Sequence, residues 1–368
     1  MFYNFIQVKI DLQKIVHNFL FLKQICPQLM PVVKANAYGH GLIAVAKVLA
    51  QHDVCSLAVG SVEEGVRLRQ SGFSGEIMAL LGPVQETDYN FLLEHKIIPF
   101  VHHEEQLLKL SELSKDEVVE IVLKFDTGMG RLGFRQDELP KIIDTFTSSK
   151  LHLKYVASHL AVADYPDDPF VLEQKQCFET ICSYLKQVGL RFKKSLCNSA
   201  AVLGWPELHC DLARPGISLY GVNPFWGSKW SAKGKGLWAA MEVTAPIISV
   251  HRLRKGETIS YGRTFKAPVD MKVAIVALGY ADNYSRHISN KGWLIINGQR
   301  CPILGRVCMQ MVAVDVSKVK VGLGDKAVLL GKSGQEVIGP EELALWWGTI
   351  SYEVFCLLGQ NKKVYVSN

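Results

Sequence analysis

A chain of 368 residues, 48% of them hydrophobic and 21% charged, is long enough to bury two cores, which predicts an ordinary globular protein with two domains. The formal charge of +6 comes from basic residues scattered among acids, and this distribution argues against a nucleic-acid-binding protein. Nine cysteines without a C-x-x-C pair indicate reduced thiols in the cytoplasm. No charged segment precedes an apolar stretch at the N-terminus and no window is long enough to span a bilayer, so we expect neither export nor a membrane partner.

Short apolar runs recur up to about residue 220, and each is typical of a buried β-strand. Eight such runs begin at Met30, Ser56, Glu76, Ile97, Glu120, Lys154, Lys194 and Gly216. Amphipathic segments of helical length lie between them, for example at residues 41–50, 62–69 and 104–113. Strands that alternate with helices in this way predict a (β/α)8 TIM-type barrel over residues 11–231, with a doubly wound open sheet as the alternative.

From about residue 237 the sequence changes to closely spaced β-type runs separated by glycine-rich turns. These runs predict a second, mostly β domain over residues 232–368, and the Gly-, Ser- and Lys-rich segment 224–236 is interpreted as the linker. The alternating FIQVKI near the N-terminus predicts an extra strand within residues 1–10, which can join the second domain rather than the barrel. The expected fold class is therefore α/β, a barrel followed by a mostly β C-terminal domain.

The stretch VVKANAYGHG places Lys34 directly after the first predicted strand. In a barrel this is the end at which strand-to-helix loops build active sites. Small neighbouring residues allow a ligand to approach closely, and Tyr38 and His40 add polar groups. The alternative is a solvated loop lysine, which is the usual environment of this residue type.

Two other patterns suggest different chemistry. GMGRLG at residues 128–133 matches the dinucleotide fingerprint, but no helix opens directly from its third glycine, so we reject a dinucleotide site. His102 and His103 precede two glutamates and resemble a metal cluster only superficially, because adjacent residues point in different directions. We expect no metal site.

A series of motifs extends along nearly the whole chain: VVKANAYGHG, LKFDTGMGRLGF, SHLAVAD, NSAA, DLARPGISLYG, SYGRTF, ALGYADNYSR, GRVCMQM and TISYEV. This series resembles the alanine racemase family of pyridoxal-phosphate enzymes, in the family's order, and is far more specific than any single motif. The resemblance implies an eight-stranded barrel with a C-terminal β domain, pyridoxal 5'-phosphate as cofactor, and interconversion of L-alanine and D-alanine that supplies D-alanine for peptidoglycan. It also accounts for GMGRLG as a racemase loop.

The resemblance implies two opposed bases. Lys34 holds the cofactor as an aldimine and, once freed by the incoming amino acid, stands beside the substrate α-carbon. Tyr261 in SYGRTF matches the second base, which the other subunit of a head-to-tail homodimer contributes. Because a phenol with a pKa of about 10 is a poor base, its proton needs a relay, for which the resemblance offers His159 and Arg214.

The resemblance also implies the cofactor contacts. Arg214 faces the pyridine nitrogen, and because arginine keeps its proton, the ring is a weaker electron sink, which limits side reactions. His159 bridges this arginine and the second base. The phosphate contacts are Tyr38, Ser199, the backbone amides of Gly216 and Ile217, and Tyr352.

For the substrate, the resemblance implies that Arg131 and the backbone amide of Met309 bind the carboxylate of alanine. Lys124 matches a lysine that is carbamylated in several family members. Gln310 stands where the family usually has aspartate, so a carboxylate is missing and the family's substrate preference is in doubt. The residues that match the substrate entrance are Tyr280, Arg286 and Arg306.

Four alternative functions remain open. A racemase for serine or with broad specificity differs only in pocket shape. A related barrel decarboxylase needs a pocket for a longer substrate, and a barrel of the cofactor-homeostasis type lacks the second domain. A catalytically silent pyridoxal-phosphate carrier is disfavoured by the retained Tyr261.

Overall fold

The computed structural model describes residues 5–114, 118–147 and 149–367. Strand β1 (Gln7–Asp11) comes first and leads into helix α1 (Leu12–Ile25). The Asp11 carboxylate caps α1 by accepting from the backbone amides of Gln13 and Lys14 at 3.1 and 3.2 Å.

A parallel sheet of six strands follows, with the strands in chain order, as in a barrel. Its strands are β2 (Ser56–Val59), β3 (Glu76–Ala79), β4 (Ile97–Val101), β5 (Val119–Lys124), β6 (Leu151–Ala157) and β7 (Lys193–Ser195). The helices of this half after α1 are α2 (Lys34–Tyr38), α3 (Leu42–Ala50), α4 (Val62–Gln70), α5 (Glu86–Glu94), α6 (Glu104–Leu113), α7 (Leu139–Thr147), α8 (Phe170–Gln187) and α9 (Ser199–Gly204). Every residue of β4 is buried, as expected for a strand covered on both faces.

Two short segments act as the remaining two strands and close the sheet into a barrel of eight strands. The backbone amide of Met30 donates to the carbonyl of Ala213 at 2.8 Å, and the amide of Val33 donates to the carbonyl of Ala58 at 2.8 Å. On the other side, the amide of Arg214 donates to the carbonyl of Cys197 at 2.9 Å. The prediction of a (β/α)8 barrel is confirmed, and the open-sheet alternative is wrong.

The last barrel strand lies earlier than predicted. Residues 213–215 form the eighth strand of the barrel. Ile217–Tyr220, which were predicted as a strand, form a buried 3-10 turn. Pro215 has no amide to donate to a ladder. The chain then turns, and the amide of Leu219 donates to the carbonyl of Gly216 at 3.0 Å.

The C-terminal half is mostly β, as predicted. Its strands are β8 (Met241–Leu253), β9 (Thr258–Ile259), β10 (Phe265–Lys266), β11 (Met271–Val276), β12 (Trp293–Ile296), β13 (Gln299–Leu304), β14 (Val312–Asp315), β15 (Lys326–Ser333), β16 (Glu336–Ile338) and β17 (Lys363–Val366), and its helices are α10 (Pro340–Trp347) and α11 (Ser351–Leu358). Nine strands form one sheet in the order β16-β15-β12-β13-β14-β11-β8-β1-β17, and the further pairing of β15 with β8 closes part of it into a ring.

Strand β1 lies in this C-terminal sheet, antiparallel to β8 and parallel to β17. Val8 is the register partner of both Val243 and Lys363. The domain boundary between residues 231 and 232 stays a prediction, and residues 1–4 and 368 of the predicted second domain lie outside the described residues.

Among the described helices, none is both long enough and apolar enough to cross a membrane. A search of the described residues finds no group of three or more His, Cys, Asp or Glu side chains placed to hold a metal ion. The nine cysteines are all free thiols.

Candidate active site

A cavity of about 410 Å³ opens at the carboxyl ends of the barrel strands, where barrel enzymes assemble their active sites. Most of the predicted site residues line it: Lys34, Tyr38, Lys124, Arg131, His159, Ser199, Arg214, Gly216, Ile217 and Tyr352. Tyr261 and Met309 do not line this cavity. The structure therefore brings together the residues predicted from the barrel and Tyr352 from the C-terminal half, and it leaves Tyr261 and Met309 apart.

Lys34 begins α2, whose backbone is a left-handed turn and not a right-handed helix. Residues 35–38 have φ values of 52°, 54°, 56° and 51°, although none of them is glycine. The turn is closed by the amide of Ala37 donating to the carbonyl of Val33 at 2.8 Å and that of Gly39 donating to Ala35 at 3.0 Å. Each such residue costs roughly 1–2 kcal/mol, so the surroundings must hold the turn in place.

Helix α11 of the C-terminal half supports this turn. A Cβ atom added to Gly39 would stand 2.3 Å from the carbonyl oxygen of Phe355, and one added to Gly359 would stand 2.3 Å from the carbonyl oxygen of Gly39. The two backbones approach so closely that side chains do not fit between them. The two halves of the chain thus meet directly behind Lys34.

The environment of Lys34 favours its neutral amine. Burial lowers the pKa of Lys34, and the positive charges of Arg131 and Arg214 lower it further. Glu64 and Cys356 act in the opposite direction. A neutral amine is the form that acts as a nucleophile or a base, so the site favours the reactive form of this lysine.

One end of the cavity is lined by hydroxyl groups and backbone amides. The Ser199 hydroxyl oxygen, at the start of α9, accepts from the amides of Gly216 and Ser218 at 2.9 and 3.3 Å. A Cβ atom added to Gly216 would stand 2.3 Å from the Tyr38 hydroxyl. The Tyr38 and Tyr352 rings lie 6.0 Å apart between centroids. This donor-rich end has the chemistry that suits an anion.

Arg214 is buried and faces the cavity from the eighth strand of the barrel. One terminal nitrogen donates to the carbonyl of Ser158 at 2.6 Å and the other to the Ser195 hydroxyl. In the described part of the chain it forms no ion pair with a carboxylate. Burial lowers the pKa of Arg214 to about 10, so the guanidinium still keeps its proton at neutral pH.

His159 lies on the cavity wall after β6. Burial lowers the pKa of His159 well below its usual value, and the charges of Arg214 and Arg131 lower it further, so the imidazole is neutral. No hydrogen bond joins His159 to Arg214 within the described residues. The predicted bridge from Arg214 to the second base therefore stays a prediction.

Lys124 ends β5 and meets the glycine-rich loop that follows. Its amine donates to the carbonyl of Leu132 at 2.5 Å. Burial, followed by the charges of Arg214 and Arg131, lowers the pKa of Lys124 to about 8. A larger fraction of this amine is therefore neutral near physiological pH than in an exposed lysine.

Asp126 shapes that loop, and sequence reasoning missed it. Its carboxylate accepts from the amides of Gly128, Gly130 and Arg131 at 2.9, 3.1 and 2.8 Å. These three bonds fix the loop that carries Arg131 to the cavity. The signal was available, because an aspartate just before a Gly-rich stretch is typical of side-chain capping of backbone amides.

Glu64 was missed as well. It lies in the first turn of α4, and its carboxylate accepts from the amide of Asn36 at 2.9 Å. Asn36 is part of the left-handed turn, 28 residues upstream. The local pattern around Glu64 indicates only the start of a helix, so the sequence carried no signal of this contact.

Tyr261 lies at the tip of the β9–β10 hairpin and is 68% exposed. The neighbouring Ser260 has φ 67° and ψ 177°, a region that non-glycine residues rarely adopt, and its hydroxyl donates to the carbonyl of Arg306 at 2.5 Å. A Cβ atom added to Gly262 would stand 2.9 Å from the Arg306 guanidinium. The hairpin is therefore held against the segment that carries Arg306.

Met309 lies on the same surface and is 57% exposed. Its carbonyl accepts from the amide of Ala281 at 2.9 Å, and the carbonyl of Cys308 accepts from the amide of Tyr280 at 3.1 Å. Tyr261, Tyr280 and Met309 thus belong to connected, exposed loops of the C-terminal half. Arg286 and Gln310 are exposed too.

The chain matches the family model of the alanine racemase N-terminal domain over residues 10–224 and that of the alanine racemase C-terminal domain over residues 240–366. It is 48% identical over 367 residues to an alanine racemase of Nitratidesulfovibrio vulgaris (strain Miyazaki F), covering 99% of this chain and 98% of that protein.

Solved structures agree with these matches. The alanine racemase from Streptomyces lavendulae has a TM-score of 0.92 at 29% identity, covering 100% of this chain and 98% of that one. The alanine racemase from Bartonella henselae, described with covalently bound pyridoxal phosphate, has a TM-score of 0.89 at 29% identity, covering 98% and 99%. With both halves matched in sequence and in fold, the chain belongs to the alanine racemase family.

Proposed function

We propose that this protein interconverts L-alanine and D-alanine, with pyridoxal 5'-phosphate held in the barrel cavity and Lys34 and Tyr261 as opposed bases. The observation that carries the proposal is the Lys34 amine, which faces a cavity whose other end presents hydroxyls and amides. Family membership, shown by both domain models, supports the same reaction.

The residues present fit the cofactor. Tyr38, Ser199, Tyr352 and the amides of Gly216 and Ile217 would hold its phosphate. Ile217 begins a 3-10 turn, so its amide has no acceptor within that turn, and Gly216 leaves room that a Cβ atom would fill. Pyridoxal phosphate supplies a conjugated, electron-withdrawing ring that acidifies the α-proton of a bound amino acid.

Arg214 would face the pyridine nitrogen. Because its guanidinium keeps its proton, it would donate a hydrogen bond to this nitrogen and would not protonate it. A ring left in that form withdraws electrons moderately, which suits proton exchange over other reactions.

Lys34 and Tyr261 would remove and return the α-proton of the substrate. Lys34 removes or returns the α-proton on its own face, and its lowered pKa makes the required neutral amine available. Tyr261 serves the opposite face from a second copy of the chain, since it is exposed and lies outside this chain's own cavity. We therefore propose a head-to-tail homodimer with shared active sites, in which His159 and Arg214 relay the Tyr261 proton.

The substrate carboxylate would be bound by Arg131 and by the backbone amide of Met309. Asp126 fixes the Arg131 loop through three amide hydrogen bonds, which supports this positioning. We also propose that Lys124 carries a carbamate, which gives Arg131 an anionic neighbour. The neutral, exposed Gln310 favours a second candidate, a racemase that also accepts serine or other small amino acids.

In the cell, the proposed role is to supply D-alanine for peptidoglycan from the cytoplasm. The direct test is incubation with single L-amino acids, with chiral chromatography of the products, and borohydride reduction followed by peptide mass spectrometry. We expect D-alanine from L-alanine and a reduced pyridoxyl label on Lys34. A label on another lysine, or none, would reject the cofactor assignment, and turnover of serine at least as fast as alanine would favour the second candidate.

A further inference from the structure

One carboxylate connects three parts of the barrel mouth. Glu64, on α4, accepts from the amide of Asn36 at 2.9 Å with Oε1 and from the amide of Gly60 at 2.8 Å with Oε2. Gly60 follows β2, and Asn36 lies in the left-handed turn after Lys34. Helix α4, the end of β2 and the Lys34 turn are therefore joined through a single side chain.

These contacts differ from an ordinary helix cap. The Ser61 hydroxyl accepts from the amide of Glu64 at 3.3 Å, as in a capping box, in which the glutamate returns a bond to the amide of the serine. Here the Glu64 carboxylate instead accepts hydrogen bonds from the amides of Gly60 and Asn36. Its second contact stabilises a segment outside its own helix.

Asn36 is held from both sides. Its own side-chain oxygen accepts from the amide of Leu42 at 2.8 Å, at the start of α3, while its backbone amide donates to Glu64. The strained residue in the middle of the left-handed turn is thus fixed by two bonds. Without the carboxylate, its amide would lose its acceptor.

The carboxylate also lies beside the lysine itself. A Cβ atom added to Gly60 would stand 3.2 Å from Glu64 Oε2 and 3.3 Å from Lys34 Cβ. The missing side chain of Gly60 lets the two groups share one small space.

We propose that Glu64 is a positioning residue for the reaction, whose carboxylate holds the left-handed turn and gives the Lys34 amine a fixed anionic neighbour. This inference rests on the proposed role of Lys34. The charged and titratable groups that act on Lys34 are Arg131, Arg214, Glu64 and Cys356. Glu64 is the carboxylate in this set, so its removal makes the amine less basic.

The test compares Glu64→Gln with Glu63→Gln, a matched change at the preceding, exposed residue of the same helix. Glutamine keeps the size of the side chain but offers one acceptor, so one of the two amides meets an NH2 group instead. In cofactor-free protein, we expect amide hydrogen exchange in residues 35–39 to accelerate at least about tenfold in Glu64→Gln, with α4 exchanging as in Glu63→Gln.

In the holoenzyme, the acidic limb of the kcat profile for D-alanine should move to lower pH by about one unit in Glu64→Gln, because the pKa of Lys34 falls without its anionic neighbour. Should Glu64→Gln fail to fold, Glu64→Asp decides the question. Its shorter carboxylate cannot reach both amides, so exchange in residues 35–39 should still accelerate, while its charge keeps the acidic limb near the wild-type position.

Acceleration in α4 with the Lys34 turn unchanged would reduce Glu64 to a helix cap and overturn the inference. Equal exchange and equal pH profiles in Glu64→Gln and Glu63→Gln would overturn it as well. Borohydride labelling of Lys34 in each variant separates this failure from failure of the proposed function, which would appear as a missing label in the wild-type protein.

Discussion

We predict from the environment of its amine that Lys124 is carbamylated. The carbamate forms when the neutral amine attacks the carbon of CO2 and releases a proton. With a pKa of about 8, roughly a quarter of the Lys124 amine is neutral at about pH 7.5, against roughly 0.1% for an ordinary lysine. Folding thus raises the reactive fraction by about two hundredfold. The nearby charges of Arg214 and Arg131 would then stabilise the carbamate anion.

The carbamate signal of Lys124 should decrease as the pH falls. Because burial lowers the pKa of Lys124 to about 8, its neutral fraction changes near physiological pH and falls from about half at about pH 8 to about 1% at about pH 6. The carbamate signal should therefore disappear towards about pH 6 and return on raising the pH with bicarbonate present.

The assay is carbon-13 NMR of protein equilibrated with labelled bicarbonate, with Lys124→Met as the control variant. Lys154 is an internal comparison. Burial lowers the pKa of its amine, but its contacts with Glu120 and Glu76 together raise that pKa by more and keep the amine protonated. A spectrum without a carbamate resonance from wild-type protein, or a resonance that persists in Lys124→Met, would refute the reasoning.

Two further outcomes follow from the geometry. Gly216→Ala places a Cβ atom 2.3 Å from the Tyr38 hydroxyl, so cofactor affinity in an absorbance titration should fall at least about tenfold, whereas Gly322→Ala, where nothing lies within 4 Å, should leave it unchanged. Equal affinity in the two variants would contradict the role of Gly216. Mixing inactive Lys34→Ala and Tyr261→Phe subunits should recover about a quarter of wild-type activity, since half of the randomly paired dimers carry one intact shared site. Proven subunit exchange without recovered activity would count against shared sites.

The sequence predicted the barrel well because alternating apolar runs and amphipathic segments are a strong, local signal. It placed the eighth strand wrongly, since Ile217–Tyr220 has strand-like composition but follows Pro215 and closes as a 3-10 turn. The left-handed turn at residues 35–38 had no local signal either, because alanine and tyrosine seldom adopt positive φ. Tertiary contacts impose that turn, and they are invisible in sequence periodicity.

Some residues of the site were predicted from the sequence and others were missed, for a similar reason. The cavity residues were found through motifs that resemble a family, and they line one cavity. Glu64 acts through a bond to the backbone of a distant segment, so its residue type revealed little. Asp126 bonds the amides of its own loop, and its position before a Gly-rich stretch was a signal that went unused. Tyr261 and Met309 of the C-terminal half do not line the cavity of their own chain, and their roles stay predictions.

The proposal that Lys34 exchanges the α-proton of D-alanine and Tyr261 that of L-alanine is tested most directly by Tyr261→Phe in deuterated water. The ring is 68% exposed and its hydroxyl is removed without a cavity, so stability should change by less than about 0.5 kcal/mol. Racemisation should fall roughly a hundredfold to ten-thousandfold, the usual contribution of a positioned acid–base group. NMR should still show exchange of the α-proton of D-alanine, through Lys34, with little deuterium entering L-alanine. If the variant exchanged the α-protons of both enantiomers equally fast, Tyr261 would not be the second base.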